Sequence, residues 1–306
     1  MSEPNPAKAW IITGPTAGIG RRTALELAQH GTVVLVGRDR GRLAEVEQEI
    51  QARGGRAVSV VCDLSDVTSA RRAAAEIIEL DLPIAGLLNN AGIMPMRPFS
   101  SAQGWDGTFA TDHLGPFALT EALIPALPDG ANVVFVVSAV EDPERRPAVI
   151  AGFRGSRYIS AEASARGEWQ PGGSKLPGGD AYATSKQGNL ATVLAFARET
   201  PRLRFNAVEP GFCPGSDLGR DANLALRLLS KYVLSPIAPL VKYWSNPKTA
   251  ARVITGILTA GTTSGTGVYY DEKGRPMVGS AQVSEPAFQD RVVAETRALL
   301  ATVAAG

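Results

Sequence analysis

TGPTAGIG, residues 13–20, is the stretch that decides how this chain is read. It directly follows an apolar run, AWII (9–12), and opens a segment of helical spacing, 19–30, that ends at His30-Gly31. Glycines between a strand and a helix have definite uses. Gly14 can turn the chain sharply, Gly18 lets the backbone approach a pyrophosphate, and Gly20 lets the helix pack close to the sheet. The helix start adds free N–H groups and the positive end of the helix dipole, both suited to a phosphate. The plain alternative is an ordinary strand-to-helix turn. Its place between the first strand and the first helix favours the phosphate reading.

Outward from this loop, apolar runs and helical segments alternate. VVLVG (33–37), VSVVC (58–62), IAGLL (84–88), VVFVV (133–137), FNAVE (205–209) and GVYY (267–270) read as strands. Segments 40–52, 66–80 (behind Ser65 as N-cap), 105–127, 181–199, 247–260 and 285–303 read as helices. Near-continuous hydrophobic strands alternating with helices imply an α/β fold: one doubly wound domain over 1–306 with a mostly parallel sheet covered on both faces. Residues 140–180 break the rhythm with charges, Pro and Gly, and read as a long insertion looping outside the core.

Bulk composition narrows the function classes. The chain of 306 residues is 44% hydrophobic and 20% charged, with a net charge of +1. No basic field points to nucleic acid or an anionic membrane. Two cysteines, Cys62 and Cys213, and two histidines draw no metal pattern. Free thiols suit a reducing compartment, and with no signal or spanning run the expected location is cytoplasmic.

TGxxxGxG, with three residues between Gly14 and Gly18, resembles the glycine signature of the short-chain dehydrogenase/reductase family. Further motifs carry the same resemblance. CDLSD (62–66) matches the place where the family's Asp, here Asp63, bonds adenine, and NNAG (89–92) matches the turn after the fourth strand. VVSAV (136–140) puts Ser138 on the catalytic serine position, and AYATSK (181–186) supplies the YxxxK pair, Tyr182 and Lys186. PGFCPGSDL (210–218) resembles the family's nicotinamide-contacting Pro-Gly loop. The resemblance therefore implies a nicotinamide cofactor held by Gly14, Thr16, Gly18, Ile19 and Gly20, by Asp63 and Leu64, and by Asn90, Ala91 and Gly92. Tyr182, Lys186, Pro210 and Gly211 complete the cofactor set, and Ser216 is a candidate for the pyrophosphate.

At the end of the second strand, GRDR (37–40), an NAD-preferring member would place a carboxylate where Gly37 stands. Arg38 follows, and a guanidinium suits a 2′-phosphate. NADP(H) is the expected cofactor, with Arg21 or Arg22 as possible helpers and Asp39 as an objection. Tyr182 and Lys186, four apart on a helix, lie on one face. The ammonium and the nicotinamide's positive charge are expected to lower the phenol's pKa and poise it to exchange a proton with a carbonyl or alcohol oxygen, which Ser138 also hydrogen-bonds. The family's fourth catalytic residue is an asparagine whose backbone carbonyl holds a water; here it is Asp112, in FATDHLGPF (109–117). A backbone role survives that change, while a charge beside Lys186 alters the relay.

Residues 212–245 stand where the family builds its substrate lid, and their Leu, Val, Tyr, Ile and Trp content suggests an apolar small-molecule substrate. A helix covering the core is the bland alternative. Arg227, Lys231 and Lys242 flank the apolar run and would suit a membrane surface. Cys213 either lines the site or is a buried spectator. The wide gap between Ser138 and Tyr182, with the tail GVYYDEKG (267–274), resembles the branch of retinol dehydrogenases and protochlorophyllide reductases. The implied activity is hydride transfer between NADP(H) and a carbonyl or alcohol on a lipophilic or aromatic molecule. Carbon–carbon double-bond reduction and a non-catalytic dinucleotide sensor are the alternatives. The insertion, covering the long helices or the mouth of the site through Val149, Ile150, Phe153, Tyr158, Ile159 and Trp169, predicts a monomer or a dimer rather than a tetramer.

Overall fold

The computed structural model describes residues 8–213, 243–260 and 265–304. The strands are β1 Ala9–Thr13, β2 Thr32–Gly37, β3 Arg56–Val61, β4 Ile84–Asn89, β5 Asn132–Val136, β6 Arg204–Val208, β7 Val268–Tyr270 and β8 Pro276–Met277. They form one sheet in the order β3-β2-β1-β4-β5-β6-β7-β8. Every pairing is parallel except β7 with β8. The fold is the expected α/β Rossmann-type winding. The short return strand β8 escaped the sequence because Pro276-Met277 has too few residues to show a period.

The helices are α1 Gly18–Leu27, α2 Arg40–Ala52, α3 Val67–Glu79, α4 Gly107–Phe109, α5 Gly115–Leu123, α6 Arg146–Ile150, α7 Ala161–Ala165, α8 Gly179–Glu199, α9 Pro247–Thr259 and α10 Pro286–Ala301. Successive strand residues face opposite sides. Thus Ile12 of β1 packs in one core with Leu27 of α1, Leu43 of α2 and Ile254 of α9. Its neighbour Ile11 packs in the other, with Ala70 of α3, Phe117 of α5, Leu190 of α8 and Val292 of α10. Side chains close the helix starts: Asp39 accepts from the Arg42 N–H at 3.1 Å, and Asn246 from the Thr249 N–H at 2.8 Å. The cap of α3 is Asp66, accepting from Thr68, rather than the expected Ser65. The Ser65 hydroxyl instead donates to Asp63 at 2.8 Å.

Two expectations change. The helix predicted over 105–127 is interrupted by a π-helical turn, Ala110–Leu114, between α4 and α5. An α-helical donor to the Asp112 carbonyl would be the N–H of residue 116, and Pro116 has none. The insertion is also less polar in its placement than its composition suggested. Tyr158 is buried, its hydroxyl donating to Glu295 of α10 at 2.6 Å and its ring set edge-on to Phe288. Ala161, Ala163 and Ala165 of α7 are buried too, whereas Ile150 and Ile159 stay exposed. The outer face of α8 is covered by α10, and α7 packs on α10 in turn. The C-terminal helix, more than the insertion, is the cover over α8.

Candidate active site

The strand order turns back beside β1, with β2 on one side and β4 on the other. In such sheets the crevice beyond the strand ends at this point receives the ligand. Both turns found in the sequence lie there. Gly14 and Gly18 have φ of +65° and +51°, which favours glycine. A Cβ on Gly20 would come within 2.1 Å of the Gly14 carbonyl oxygen. Asn90 fastens the loop: its amide donates to the carbonyls of Thr13 at 2.9 Å and Gly14 at 3.2 Å. The buried Thr13 hydroxyl accepts the N–H groups of both Asn90 and Ala91 at 3.0 Å. Thr13 was missed as a site residue, although it heads the motif. Thr16 and Ile19 are partly buried at the loop's edge.

At the end of β2, Arg38 is exposed and a side chain on Gly37 would meet Leu43 at 3.3 Å. Asp39, the objection to a 2′-phosphate, has its carboxylate turned to the start of α2 as the N-cap. Arg21 and Arg22 do not join Arg38. Arg21 pairs with Glu49 of α2 at 2.6 Å, and Arg22 lines a surface recess with Arg53 and Lys248. Farther along, Asp63 accepts from the Ser65 N–H at 2.9 Å, and Leu64 is buried where Gly115 packs against its carbonyl.

The proposed catalytic residues converge from three elements. Ser138 follows β5 in extended conformation, and it acts on the Tyr182 phenol of α8, lowering its pKa. Lys186, one turn on, sets its ammonium 5.2 Å from the Tyr182 ring centre and donates to the Val136 carbonyl at 3.3 Å. A Cβ on Gly92 would lie 3.0 Å from the Lys186 Nζ, so the glycine leaves room at this point. The chain's own groups raise the phenol pKa rather than lower it. Burial raises it, and the negative charges of Asp112 and Glu209 raise it further, with Ser138 opposing. Lys186 is buried as well; burial lowers its pKa, with Asp112 opposing.

Asp112 enters through its side chain. Its carboxylate stands 3.9 Å from the Lys186 Nζ and accepts the Ile93 N–H at 2.8 Å. Its backbone carbonyl, which Pro116 cannot serve, accepts from the Asn189 amide of α8 at 2.7 Å. The Asn189 oxygen then faces His113 Nδ1 at 2.9 Å, and His113 Nε2 meets the Thr296 hydroxyl of α10 at 3.1 Å. An amide that donates to Asp112 turns its oxygen to the ring, so Nδ1 carries the proton and Thr296 donates. Burial pushes His113 down to about 4 and keeps it neutral. This chain of buried polar groups ties the C-terminal helix to Asp112. Asn189, spaced seven residues after Tyr182 on the same helix, was legible only as another buried position.

The Pro210-Gly211 turn is fixed from behind: the Phe212 N–H donates to Tyr243 and the Ser245 N–H to Phe212. Gly211 has φ +75°. Cys213 is buried, its thiol pushed up to about 12 by burial, and fits the spectator reading. Aromatic rings gather nearby. Phe153 lies 6.4 Å from the Tyr182 ring, and the exposed Phe212 stacks edge-on with Trp244 at 5.0 Å. Ser216 and most of the expected lid, with Arg227, Lys231 and Lys242, lie outside the described residues. Among the described residues no group of His, Cys, Asp or Glu could hold a metal, and no helix is long and apolar enough to cross a membrane.

Comparison with known proteins agrees with this geometry. The family described as short chain dehydrogenase matches residues 8–148. Dehydrogenase/reductase SDR family member 12 of Bos taurus is 30% identical over 234 residues, covering 74% of this chain and 68% of that protein. Retinol dehydrogenase 13 of Homo sapiens is 29% identical over 277 residues, covering 87% and 76%. A short chain dehydrogenase from Burkholderia cenocepacia, solved in complex with NADP, superposes with a TM-score of 0.63 at 22% identity, covering 88% of this chain and 97% of that one. The chain belongs to the short-chain dehydrogenase/reductase family, in its retinol dehydrogenase-like branch.

Proposed function

We propose that the protein is an NADP(H)-dependent oxidoreductase that transfers a hydride between nicotinamide and a carbonyl or alcohol on a lipophilic or aromatic substrate. The observation that carries this is the Lys186 ammonium set 5.2 Å from the Tyr182 ring centre, one helical turn on, with Ser138 acting on the same phenol. The glycine cradle fits a dinucleotide, because side chains at Gly14, Gly18 or Gly20 would strain or fill it. Thr16, Ile19, Asp63, Leu64, Ala91, Gly92, Pro210 and Gly211 line the same crevice in this reading. The nicotinamide supplies the hydride; the protein binds, orients and moves the proton.

Tyr182 gives its proton to the substrate oxygen, and its raised pKa keeps it protonated for that step. Ser138 donates a hydrogen bond to the same oxygen as charge develops. Lys186 holds the ribose hydroxyls, and the Asp112 carboxylate keeps its ammonium charged in a buried setting. The exposed Arg38, beside an Asp39 already used as a cap, serves the 2′-phosphate; the Burkholderia structure's complex with NADP supports the same choice. Phe153, Phe212 and Trp244 favour an apolar or aromatic substrate, and a relative named for retinol fits that class. With α10 laid over α8, the protein is a monomer or a dimer through another surface, and its free cysteines suit the cytoplasm. The test is a screen of aromatic and aliphatic ketones, aldehydes and alcohols, following NADPH absorbance beside NADH. Turnover with NADH alone, or only with conjugated alkenes, would overturn the assignment.

A further inference from the structure

We propose that Glu209 is a positioning residue for the reaction centre: its carboxylate anchors the peptide that carries Ser138, and its negative charge bears on the Tyr182 phenol. This rests on the reading of Ser138 and Tyr182 as the proton-handling pair. Glu209 follows β6, whose Val208 pairs in register with Val136 of β5. The two strands therefore bring Glu209 and Ser138 out at the same edge of the sheet. The Glu209 Oε2 accepts the N–H of Ala139, the peptide group joined directly to Ser138. The Tyr269 hydroxyl of β7 donates to the same oxygen at 3.3 Å. The tail GVYY, which the sequence marks out and the reaction does not use, thus supports the carboxylate from behind.

The charged and titratable groups around Glu209, among the described residues, come from every neighbouring element. Arg145 of the insertion attracts it and Glu272, beyond β7, repels it. Tyr182 and Cys213 feel its charge, and Glu141 acts on the shared Tyr269. Burial pushes the Glu209 carboxyl up to about 7, with Ala139, Arg145 and Tyr269 opposing. Its charge therefore changes within the working range of pH. Ionised, Glu209 makes a charge-assisted bond to Ala139 and disfavours a second negative charge on Tyr182, which holds the proton on the phenol. Protonated, it loosens that bond and relieves the phenolate, the form Tyr182 takes after giving its proton to a carbonyl and before taking one from an alcohol. An amide would supply the acceptor without the cost of burying a charge, so the carboxylate's charge is the part that calls for a role.

The test uses the full chain, isotope-labelled at alanine nitrogen, with the Ala139 amide signal identified by its loss in Ala139→Ser. As pH rises, the Ala139 amide proton of the unmodified protein moves downfield with a midpoint near 7. In Glu209→Gln, which keeps an acceptor but not the charge, the signal stays still. A flat response in the unmodified protein overturns the proposal. A kinetic arm uses NADPH with benzil, an aromatic diketone, as the probe. The slope of kcat with pH around neutrality flattens in Glu209→Gln, and an unchanged slope counts against the charge's role. Should the unmodified protein leave benzil and the other carbonyls untouched, the functional reading fails, while the Ala139 titration still decides where Glu209 acts.

Discussion

The turn after β1 and the pocket behind β5 lie on the same edge of one sheet, yet they are built in opposite ways. The first is made of backbone: glycines at positive φ, held by Thr13 and Asn90 through main-chain groups. The second is made of buried polar side chains, Asp112, Tyr182, Lys186 and Asn189, drawn from two helices. A backbone site depends on the absence of atoms and tolerates little addition. A side-chain site depends on charges kept out of water, so it responds to small electrostatic changes.

That contrast can be broken or sharpened by substitution. The largest effect is expected at Gly20→Val, where the Cβ alone would collide with the Gly14 carbonyl; NADPH binding by fluorescence titration is lost, and near-normal binding would show that the cradle yields. Asp112→Asn comes next. It keeps an acceptor for the Ile93 N–H but removes a charge that raises the Tyr182 pKa. The phenol then loses its proton more easily, so the pH at which alcohol oxidation rises shifts downward; an unmoved or upward-shifted profile contradicts the placement. Arg38→Ala removes a charge-assisted contact worth ~1.5–3 kcal/mol, weakening NADPH binding about tenfold or more while sparing NADH. Equal losses for both cofactors would remove Arg38 from the 2′-phosphate. The smallest effect is Asp39→Ala, which costs about 1 kcal/mol of stability by thermal melting as a lost N-cap. A switch in cofactor preference there would mean the carboxylate does more than cap.

The backbone site was largely legible because its residues are contiguous and their spacing is the mechanism. TGPTAGIG and NNAG each name a turn whose geometry follows from glycine and a helix start. Tyr182, Lys186 and Ser138 were legible as types and positions, but their electrostatics were not. The sign of the Tyr182 shift comes first from burial and then from Asp112 and Glu209, which lie far away in the chain and close in space. The π turn followed from Pro116, visible in the sequence, but its consequence needed Asn189 across the helix interface. Residues 140–180 misled because Gly and Pro in their linkers outweighed Tyr158 and the alanines of α7, which find cover against α10.

The central claim is that the Tyr182 phenol, held by Ser138, moves the proton of a reaction whose hydride comes from NADPH. It is tested most directly by measuring NADPH affinity and single-turnover NADPH oxidation together in Tyr182→Phe, on the best substrate from the screen. The account predicts affinity within about twofold of the unmodified protein and a rate lower by ~10² or more, the scale of a lost general acid. A rate within a few-fold of the unmodified protein, at equal NADPH affinity, would place the proton path elsewhere.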